Sequence, residues 1–338
     1  MGVYNRYKTL KNPIFMQRYI NQHCTMLKWG CVFGFDRDKK LYYKISHNMT
    51  RFIFIKLKLL FVYKLYIMAR FLFGKIDLPY LQIVVTTKCT LRCKDCHDLM
   101  PQIPNESHYN GVLENIIRDF NIILNSVDSI ASIRILGGEP LLFKDLPKLL
   151  NFIKNQNKIK SFDIISNATI PFNHNLISEL KNCHKVRIFI DDYTKHTNKT
   201  TKQKLNAITD ELAKNKIKCF VLNSGGDDSW FEAGKVFKRH RKREDIIKNF
   251  LMCGMYCVSY IGSNSDKNGG IFICPRASSM SKIFGLEKFS GDFIALDSKT
   301  LKQDFVDFYS KDFFECCDYC HDMDKPKKMI PAGIQISK

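Results

Sequence analysis

The sequence predicts an α/β fold in which a parallel sheet coils into a full or partial barrel, followed by a small cysteine-rich domain. Strand-like runs alternate with helical stretches of roughly 10–15 residues, which is the pattern of βαβ units in a parallel sheet. From about Lys242 the alternation ends, and six of the 13 cysteines follow it. Right-handed crossovers place functional residues at the carboxyl ends of the strands.

The first 77 residues form a basic, aromatic extension. Residues 1–80 hold 15 Lys and Arg against three Asp, so they carry +12 of the net charge of +20. Two apolar runs around a polar turn predict a hairpin over Cys31–Ile45. The apolar run Phe52–Phe73 contains three lysines and Arg70, and four charges exclude a membrane-spanning helix. Two readings of this run stay open: a helix packed on the barrel with snorkelling lysines, or a helix lying in a membrane surface with anionic headgroups at its basic edge.

The alternating region spans residues 78–241. Its five predicted strands are Leu81–Val85, Ser132–Leu136, Phe162–Ile165, Val186–Ile190 and Cys219–Leu222. The predicted helices between them lie around residues 110–125, 145–155, 174–181 and 200–214. The basic run Lys238–Arg243 carries no interleaved aromatic residues, so it predicts a solvated helix face and no nucleic-acid partner.

Composition and the number of cysteines favour a globular intracellular protein over a disordered, fibrous or disulfide-linked one. With 45% hydrophobic and 25% charged residues, the chain can bury a core, which excludes a disordered tail or a fibrous repeat. An odd number of cysteines does not suit a disulfide scaffold. The segment Met1–Gln17 lacks the apolar core and the cleavage site of a secretory signal. We therefore expect a protein of the reducing cytoplasm.

Three cysteines directly after the first predicted strand carry the sharpest chemical signal. Cys89, Cys93 and Cys96 lie within eight residues of one another, so their thiolates can face one centre. Sulfur-only ligation selects zinc or an iron–sulfur cluster. Zinc needs a fourth ligand, and the local candidate, His97, adjoins Cys96 too closely for both to reach one tetrahedral ion with ease. Three ligands suit a four-iron cluster with one iron open to a small molecule, so the spacing favours a cluster over zinc.

This C-x3-C-x2-C spacing after a first barrel strand resembles that of the radical S-adenosylmethionine (radical SAM) enzymes. The second predicted strand leads into four residues that are similar to the family's GGEP turn, which meets the amino end of bound SAM: Gly137, Gly138, Glu139 and Pro140. Two glycines allow a close backbone approach, and the Glu139 carboxylate can pair with an ammonium group.

The third and fourth predicted strands end in residues that resemble further SAM-binding positions of the family. The run Ser166-Asn167-Ala168-Thr169 is similar to the family's T-N-G. Asp191 and Asp192 lie where relatives often have S-x-D or S-D-Y and contact the SAM ribose and carboxylate, and the sequence leaves open which of the two aligns. Alternatively, Asn167 is a turn former and Asp191 a helix cap. The chain departs from the family in lacking that serine and in having Asp95 where many members place an aromatic residue that shields the cluster and the adenine.

The resemblance implies a defined chemistry. In the family, SAM chelates the open iron, and one electron from the reduced cluster cleaves SAM to methionine and a 5′-deoxyadenosyl radical. That radical abstracts hydrogen from an unactivated carbon of the substrate. An electron donor such as flavodoxin or ferredoxin would then be a partner.

The later cysteines resemble the twitch form of the SPASM extension, which holds one auxiliary four-iron cluster in many radical SAM enzymes. The resemblance implies four ligands: Cys257, Cys274, Cys317 and Cys320. Cys253 is an alternative to Cys257, Cys316 is a candidate bystander, and a zinc ribbon is the alternative for the whole segment. The remaining cysteines are expected to be buried small apolar residues: Cys24, Cys31, Cys183 and Cys219.

The resemblance covers about residues 78–335. It implies a partial parallel (β/α)6-type barrel over 78–241 and a twitch-like auxiliary cluster domain over 242–338, after the extension 1–77. The order of the motifs, ending in Ile330–Gln335, is similar to enzymes often associated with bacterial surface-glycan biosynthesis. We therefore expect hydrogen abstraction from a sugar-like substrate, leading to oxidation or epimerisation, in a cytoplasmic enzyme with a peripheral contact to the inner membrane face through residues 1–74. The alternatives are a radical SAM enzyme that modifies a ribosomal peptide and a non-enzymatic metal-binding protein.

Overall fold

The computed structural model describes residues 2–28, 49–181, 183–197, 199–222, 230–253, 258–265, 267–285, 289, 291–326 and 328–336. Within the long helix that begins at Met49, side chains are described from Leu59 onward. Three sequence predictions lie outside the described residues: the hairpin over Cys31–Ile45, the burial of Cys31 and the role of Cys257 as a ligand.

The strands of the described residues, numbered along the chain, fall into three sheets. They are β1 (Asp77–Leu78), β2 (Leu81–Val84), β3 (Ser129–Ile130), β4 (Ile133–Leu136), β5 (Phe162–Ser166), β6 (Val186–Asp191), β7 (Cys219–Leu222), β8 (Trp230–Phe231), β9 (Ser259–Ile261), β10 (Gly270–Phe272), β11 (Phe293–Ala295) and β12 (Met329–Ile330). Eight of them form one sheet in the order β11-β10-β9-β2-β4-β5-β6-β7, and two small sheets join β1 to β3 and β8 to β12.

The helices bury apolar side chains at helical spacing. Their ranges are Val3–Leu10, Pro13–Phe15, Asn21–Lys28, Met49–Leu72, Leu113–Ser126, Leu146–Lys154, His174–Lys181, Lys199–Lys214, Arg243–Cys253, Pro275–Phe284 and Leu301–Ser310, with a π-helical segment over Met16–Ile20. Short 3-10 helices cover Met100–Gln102, Asn105–Ser107, Pro140–Leu142, Thr194–His196 and Glu315–Tyr319. Leu113–Ser126 illustrates the pattern, because Ile116, Phe120 and Ile123 are fully buried on one face.

The predicted alternation of strands and helices is confirmed. β2, β4, β5, β6 and β7 pair in parallel one after another, and a helix connects each strand to the next. The carboxyl ends of these strands therefore meet at one edge of the sheet, where ligands bind in open α/β sheets. The loops after β2, β4, β5 and β6 carry the predicted site residues.

The sheet continues across the predicted boundary at residue 242. β9 pairs in parallel with β2 on the side away from β4, and β10 and β11 extend the sheet antiparallel. The sequence pattern misses these strands because each has only three residues. The curvature of the sheet into a barrel and the division into three domains stay predictions.

The long helix Met49–Leu72 packs on the preceding helices through one stripe. Tyr63 and Phe71 are buried on this stripe, and the Phe71 ring lies 4.8 Å from that of Phe15. The guanidinium of the buried Arg6 donates a hydrogen bond to the Phe71 carbonyl at 2.8 Å. One face of the apolar run is therefore a packing face against the preceding helices, and the choice between packing on the barrel and lying in a membrane surface stays a prediction. In the described part of the chain, no helix is long and apolar enough to cross a membrane.

Three cysteines predicted to be buried lie at the margin of the core instead. Cys24, Cys183 and Cys219 are partly exposed and pack against the buried cluster. The prediction that they are buried is therefore met only in part, because each keeps some exposed surface while it packs against the core.

Candidate active site

The loops at the carboxyl ends of the parallel strands surround a cavity of about 250 Å³. All three thiols of the first cysteine loop line it. The predicted site residues in its lining are Cys89, Cys93, Cys96, Gly137, Gly138, Ser166, Asn167 and Asp191. Three other predicted residues, Glu139, Pro140 and Asp192, are not part of the lining.

The glycine turn after β4 is held against the start of the cysteine loop. The Gly138 N–H donates a hydrogen bond to the Thr86 carbonyl, and the Glu139 N–H donates one to the Lys88 carbonyl, both at 2.9 Å. A Cβ on Gly137 would stand 2.0 Å from the Thr86 oxygen, and one on Gly138 would stand 2.3 Å from the Lys88 oxygen. Both positions therefore require glycine because the two loops touch through their backbones.

Glu139 is fully buried and binds the loop after β5. Its carboxylate accepts hydrogen bonds from the Ser166 hydroxyl and the Asn167 N–H, both at 2.9 Å, and from the Leu141 N–H at 3.1 Å. Burial raises the pKa of Glu139 to about 7, although these three donors act in the opposite direction. The carboxylate is thus engaged by the protein itself, and its pairing with a SAM ammonium group stays a prediction.

Asn167 connects the loop after β5 to the first cysteine. Its side-chain amide lies 3.6 Å from the Cys89 sulfur and donates to the Thr90 hydroxyl at 3.2 Å. Ala168, the next residue, is fully buried and has a φ of +53°. This left-handed backbone is the one that glycine adopts at least cost, and Ala168 occupies the position that resembles the glycine of the family's T-N-G.

The two aspartates at the end of β6 serve different contacts. Asp191 lines the cavity and accepts a hydrogen bond from the Tyr193 hydroxyl at 3.3 Å. Asp192 accepts a hydrogen bond from the Thr194 N–H at 2.9 Å and so closes the turn that follows. The structure therefore assigns the cavity position, which the sequence left open, to Asp191.

The three thiols of the first loop form a donor set that fits a cluster with three protein ligands. Burial raises the pKa of Cys89 and that of Cys96 to about 12 each, and it also raises the pKa of Cys93. N–H groups reach two of the sulfurs: the Leu91 amide lies 3.4 Å from Cys89, and the Gln335 side-chain amide lies 3.3 Å from Cys93. In the described residues, no three His, Cys, Asp or Glu side chains lie close enough together to hold a single metal ion.

His97 and Asp95, the two neighbours of Cys96, contact β8 and the residues that follow it. The His97 ring stacks on that of Trp230 with centroids 5.3 Å apart, and its Nε2 lies 3.0 Å from the Phe231 carbonyl oxygen. The buried Asp95 accepts a hydrogen bond from the Gly234 N–H at 3.4 Å. Trp230 is thereby placed in the wall of the cavity.

Sequence reasoning missed three residues that face the cavity: Asp98, Tyr193 and Trp230. Burial raises the pKa of Asp98 to about 6, although the positive charge of Arg276 opposes the shift. Burial and the neighbouring Asp191 raise the pKa of Tyr193 well above its usual range. Asp98 and Tyr193 each lie two residues after a predicted site residue, Cys96 and Asp191, so the sequence could have indicated them. Nothing in the local sequence pattern indicates Trp230.

The described cysteines of the second set lie outside the cavity lining: Cys316 and Cys320 are buried, whereas Cys253, Cys274 and Cys317 are partly exposed. Burial raises the pKa of Cys274, and the nearby thiols of Cys320, Cys253 and Cys317 add to that shift. The Cys274 sulfur also accepts a hydrogen bond from the Ala277 N–H at 3.4 Å, at the start of a helix. Cys274 therefore lies near enough to these three thiols for their charges to affect its pKa, and the binding of an auxiliary cluster by this set stays a prediction.

Arg241 holds this second cysteine segment in place. Its guanidinium donates to the carbonyls of Asp318 at 3.2 Å and Cys320 at 2.8 Å, and it pairs with the Asp322 carboxylate at 2.5 Å. The predicted helix face over Lys238–Arg243 is therefore wrong: the chain is not helical before Arg243, because Arg241 turns inward and leaves only 10% of its side chain exposed.

Known proteins similar to this chain were compared with it. No family model matches it. The GTP 3′,8-cyclase of Clostridium botulinum strain Hall is 28% identical over 171 residues, which are 49% of this chain and 44% of that protein. The GTP 3′,8-cyclase of Campylobacter jejuni strain 81116 is 30% identical over 192 residues, which are 52% of this chain and 58% of that protein. These similarities support the radical SAM superfamily. The chain spans about half the length of the curated relatives it matches.

Two solved structures are also similar in shape. An AdoMet-bound anSMEcpe has a TM-score of 0.40 at 15% identity, with 75% of this chain and 89% of that chain covered. Streptococcus suis SuiB bound to S-adenosylmethionine has a TM-score of 0.36 at 15% identity, with 53% of this chain and 44% of that chain covered.

Proposed function

We propose that this chain is a radical SAM enzyme that uses a four-iron cluster, bound by Cys89, Cys93 and Cys96, to abstract hydrogen from a sugar-like substrate. The substrate is then oxidised or epimerised. One observation carries the proposal: the three thiols line a single cavity together with Gly137, Gly138, Ser166, Asn167 and Asp191, which follow three other strands of the parallel sheet.

The residues of the cavity have separable roles. The cluster and SAM, when bound, supply a 5′-deoxyadenosyl radical. The glycine turn brings its backbone against the cysteine loop, Asn167 orients the first cysteine, and Asp191 presents a carboxylate to a ribose or an amino acid moiety. Leu91, Met100 and Trp230 add apolar walls, which exclude water from a radical.

The polar groups of the cavity support a neutral, hydroxyl-bearing substrate. Asp98 offers a carboxylate that accepts hydrogen bonds from hydroxyl groups, and Tyr193 and Trp230 offer ring faces for the C–H groups of a sugar. No lysine or arginine is among the described residues of the lining. The cavity is therefore poorly matched to the triphosphate of GTP, which the names of the curated relatives mention.

The second cysteine set completes the proposed enzyme. We assign to Cys274, Cys317 and Cys320, with Cys253 or Cys257, an auxiliary four-iron cluster that, when the substrate is oxidised, accepts one electron from the substrate radical as that radical loses a proton. A flavodoxin or ferredoxin would reduce the first cluster. Because these clusters need reduced thiols, we place the enzyme in the cytoplasm.

The proposal is tested with anaerobically reconstituted protein. We expect about eight irons per chain, four in each cluster, and 5′-deoxyadenosine when dithionite and SAM are added. Replacing Cys89, Cys93 and Cys96 together with alanine halves the iron and abolishes 5′-deoxyadenosine. A triple variant that still makes 5′-deoxyadenosine would show that this loop does not bind the catalytic cluster.

The substrate class is tested by isotope transfer. Deuterium at the ring carbons of neutral sugars should appear in 5′-deoxyadenosine if a sugar is the substrate. Transfer from a ribosomal peptide instead would establish the peptide-modifying alternative. Protein that binds iron or zinc and never cleaves SAM would establish the non-enzymatic one.

A further inference from the structure

A segment far along the chain pairs with the first cysteine loop. The Gln335 segment (residues 328–336) runs antiparallel to the loop, and Gln335 lies 242 positions after Cys93. The Lys94 N–H donates to the Ile334 carbonyl, and the Ile336 N–H donates to the Arg92 carbonyl, both at 2.8 Å. The cysteine loop thus has a backbone partner that lies outside its own βα unit.

The Gln335 side chain is fixed between these backbone pairs. Its Oε1 accepts a hydrogen bond from the Arg92 N–H at 2.8 Å, and its Nε2 donates to the Gly333 carbonyl at 2.6 Å and lies 3.3 Å from the Cys93 sulfur. The backbone N–H of Arg92 can only donate and the carbonyl of Gly333 can only accept. These two contacts therefore decide which end of the Gln335 side-chain amide is the nitrogen. Gly333 is itself constrained, since its φ is +78° and a Cβ there would stand 2.7 Å from the Tyr193 ring.

We propose that Gln335 is a positioning residue of the first cysteine loop, whose N–H···S hydrogen bond to Cys93 raises the reduction potential of the cluster bound there. This inference rests on the proposed function. Reduction places more negative charge on the cluster and its sulfurs, and an N–H donor stabilises the more negative state. The same side chain joins the loop to the segment that packs on Tyr193, so it links the cluster to the wall of the cavity.

The test is a redox titration of the reconstituted protein, followed by the EPR signal that changes when SAM is added. In Gln335→Leu the donor is lost, and at a fixed potential the ratio of reduced to oxidised cluster should fall about tenfold, which is about 59 mV for a one-electron couple. Gln335→Glu keeps the acceptor for Arg92, removes the donor and adds a negative charge beside Cys93, so it should lower the ratio further than Gln335→Leu does. Gln102→Leu is the matched control, because Gln102 also joins two segments through both ends of its amide but touches Gly234 and Val236. It should leave the ratio unchanged.

Hydrogen exchange of the iron-free protein separates this inference from the proposed function. The Lys94 and Ile336 amides should be protected in the wild type and exchange at least tenfold faster in Gln335→Leu. An unchanged potential in both Gln335 variants at full iron content would overturn the tuning role. A protein with protected amides that takes up no iron would overturn the proposed function and, with it, the effect of Gln335 on the reduction potential. The packing of the Gln335 segment on the cysteine loop would still be established.

A second inference rests on the outward face of the first and the long helix. Opposite its buried stripe, the long helix exposes large apolar side chains: Leu59, Phe61, Val62, Leu65 and Tyr66. The first helix exposes Val3, Tyr4 and Tyr7. Two of these rings carry a cation, since the Lys8 and Lys11 ammonium groups each lie 4.7 Å from a tyrosine ring centroid. We call these residues the aromatic–basic face.

We infer that the aromatic–basic face binds a membrane surface that contains anionic lipids. Amphipathic rings beside lysines are typical of helices that lie in the membrane interface, and residues 1–80 carry +12 of the charge. A second copy of this chain fits the face less well, because two such faces would bring like charges together. The proposed sugar-like substrate could then be carried on a lipid, although the binding itself does not depend on that reaction.

Co-sedimentation of the full chain with vesicles tests the face. At low salt, we expect at least tenfold more binding to vesicles of phosphatidylcholine and phosphatidylglycerol than to phosphatidylcholine alone, and a decrease as salt screens the charges. Phe61→Ser should weaken the binding severalfold. Phe237→Ser is the matched control, since Phe61 is 63% and Phe237 53% exposed. Equal binding to both vesicles, or a dimer that Phe61→Ser dissociates, would overturn the inference.

Discussion

The two cysteine regions hold their thiols in opposite surroundings. The first loop turns three thiols toward a cavity, and its sulfurs meet N–H groups of Leu91, Asn167 and Gln335. The second region packs against the core, where Arg276 and Arg241 oppose the rise that burial causes in the pKa of Cys320, and the Cys274 sulfur accepts a backbone N–H. Neutral donors therefore reach sulfurs in both regions, while the cavity adjoins the first region and the two arginines adjoin the second.

This difference matches the charge that each region is proposed to hold. Four thiolates around a cluster carry one more negative charge than three, and a buried negative charge needs a positive partner. Three thiolates leave one iron for a small molecule, so that site needs a cavity rather than a closed core. The comparison predicts that substitutions of the first-region thiols stop the cleavage of SAM, whereas substitutions in the second region leave SAM cleavage intact and lower substrate turnover or stability.

The largest expected effect comes from removing the second ligand set. Replacing Cys274, Cys317 and Cys320 together with alanine should halve the iron content and abolish substrate turnover, while 5′-deoxyadenosine is still formed from SAM. The measurements are iron analysis and chromatography of SAM products. Loss of 5′-deoxyadenosine with an intact SAM-responsive EPR signal would contradict the separation of the two regions.

Single variants sharpen the ligand set of the second region. Cys253→Ala should lower the iron content as much as Cys274→Ala if Cys253 is the fourth ligand, as its position beside Cys274 favours. Cys316→Ala is the control and should keep the iron. The reverse result for these two variants would make Cys316 a ligand.

Arg241 is expected to matter for stability rather than for SAM chemistry. Arg241→Met removes the donor to the carbonyls of Asp318 and Cys320 and leaves Asp322 with Lys325 alone, so the free energy of unfolding should fall by about 2 kcal/mol in denaturant titration. Arg243→Met is the matched control: its ion pair with Asp312 is 63% exposed on the arginine side and should contribute less than about 1 kcal/mol. Equal decreases in the free energy of unfolding in both variants would show that the inward-facing Arg241 contributes no more to stability than the exposed Arg243.

Glu139→Gln probes the first region. In the wild type, one carboxylate oxygen of Glu139 accepts from the Ser166 hydroxyl and the other accepts from the Asn167 N–H. The NH2 group of glutamine replaces one of these oxygens, so one buried donor loses its acceptor. We expect a loss of about 2 kcal/mol in unfolding free energy and weaker SAM binding at constant iron content. Unchanged stability would mean that the loop after β5 does not depend on this carboxylate.

Ala168→Gly should have the smallest effect, and in the opposite direction. Glycine relieves the cost of a left-handed alanine, about 1–2 kcal/mol, and loses part of it to the more flexible unfolded chain. A net stabilisation of about 0.5–1 kcal/mol is expected in thermal unfolding. A destabilised variant would show that the methyl group of Ala168 packs well enough to outweigh the backbone.

Local pattern predicted those parts of the molecule whose partners are close in sequence. The strands β2 and β4 to β7 and their helices followed from periodicity, and the glycine turn after β4 followed from its motif. Pairing between distant segments has no such period, because it depends on which strand edges remain open after the local units form. The sequence pattern therefore could not predict three features: the pairing of β9 with β2, the place of Trp230 in the cavity wall, and the contact of Gln335 with Cys93.

The distance in sequence between Gln335 and Cys93 has a consequence for the order of events on the ribosome. At about 5–20 residues per second, the 242 positions between them take roughly 12–48 s to synthesise. During that interval the cysteine loop has emerged and its partner segment does not yet exist. The thiols are therefore accessible to a cluster-delivery protein before the Gln335 segment docks, and their exposure to oxidants is longest in the same interval.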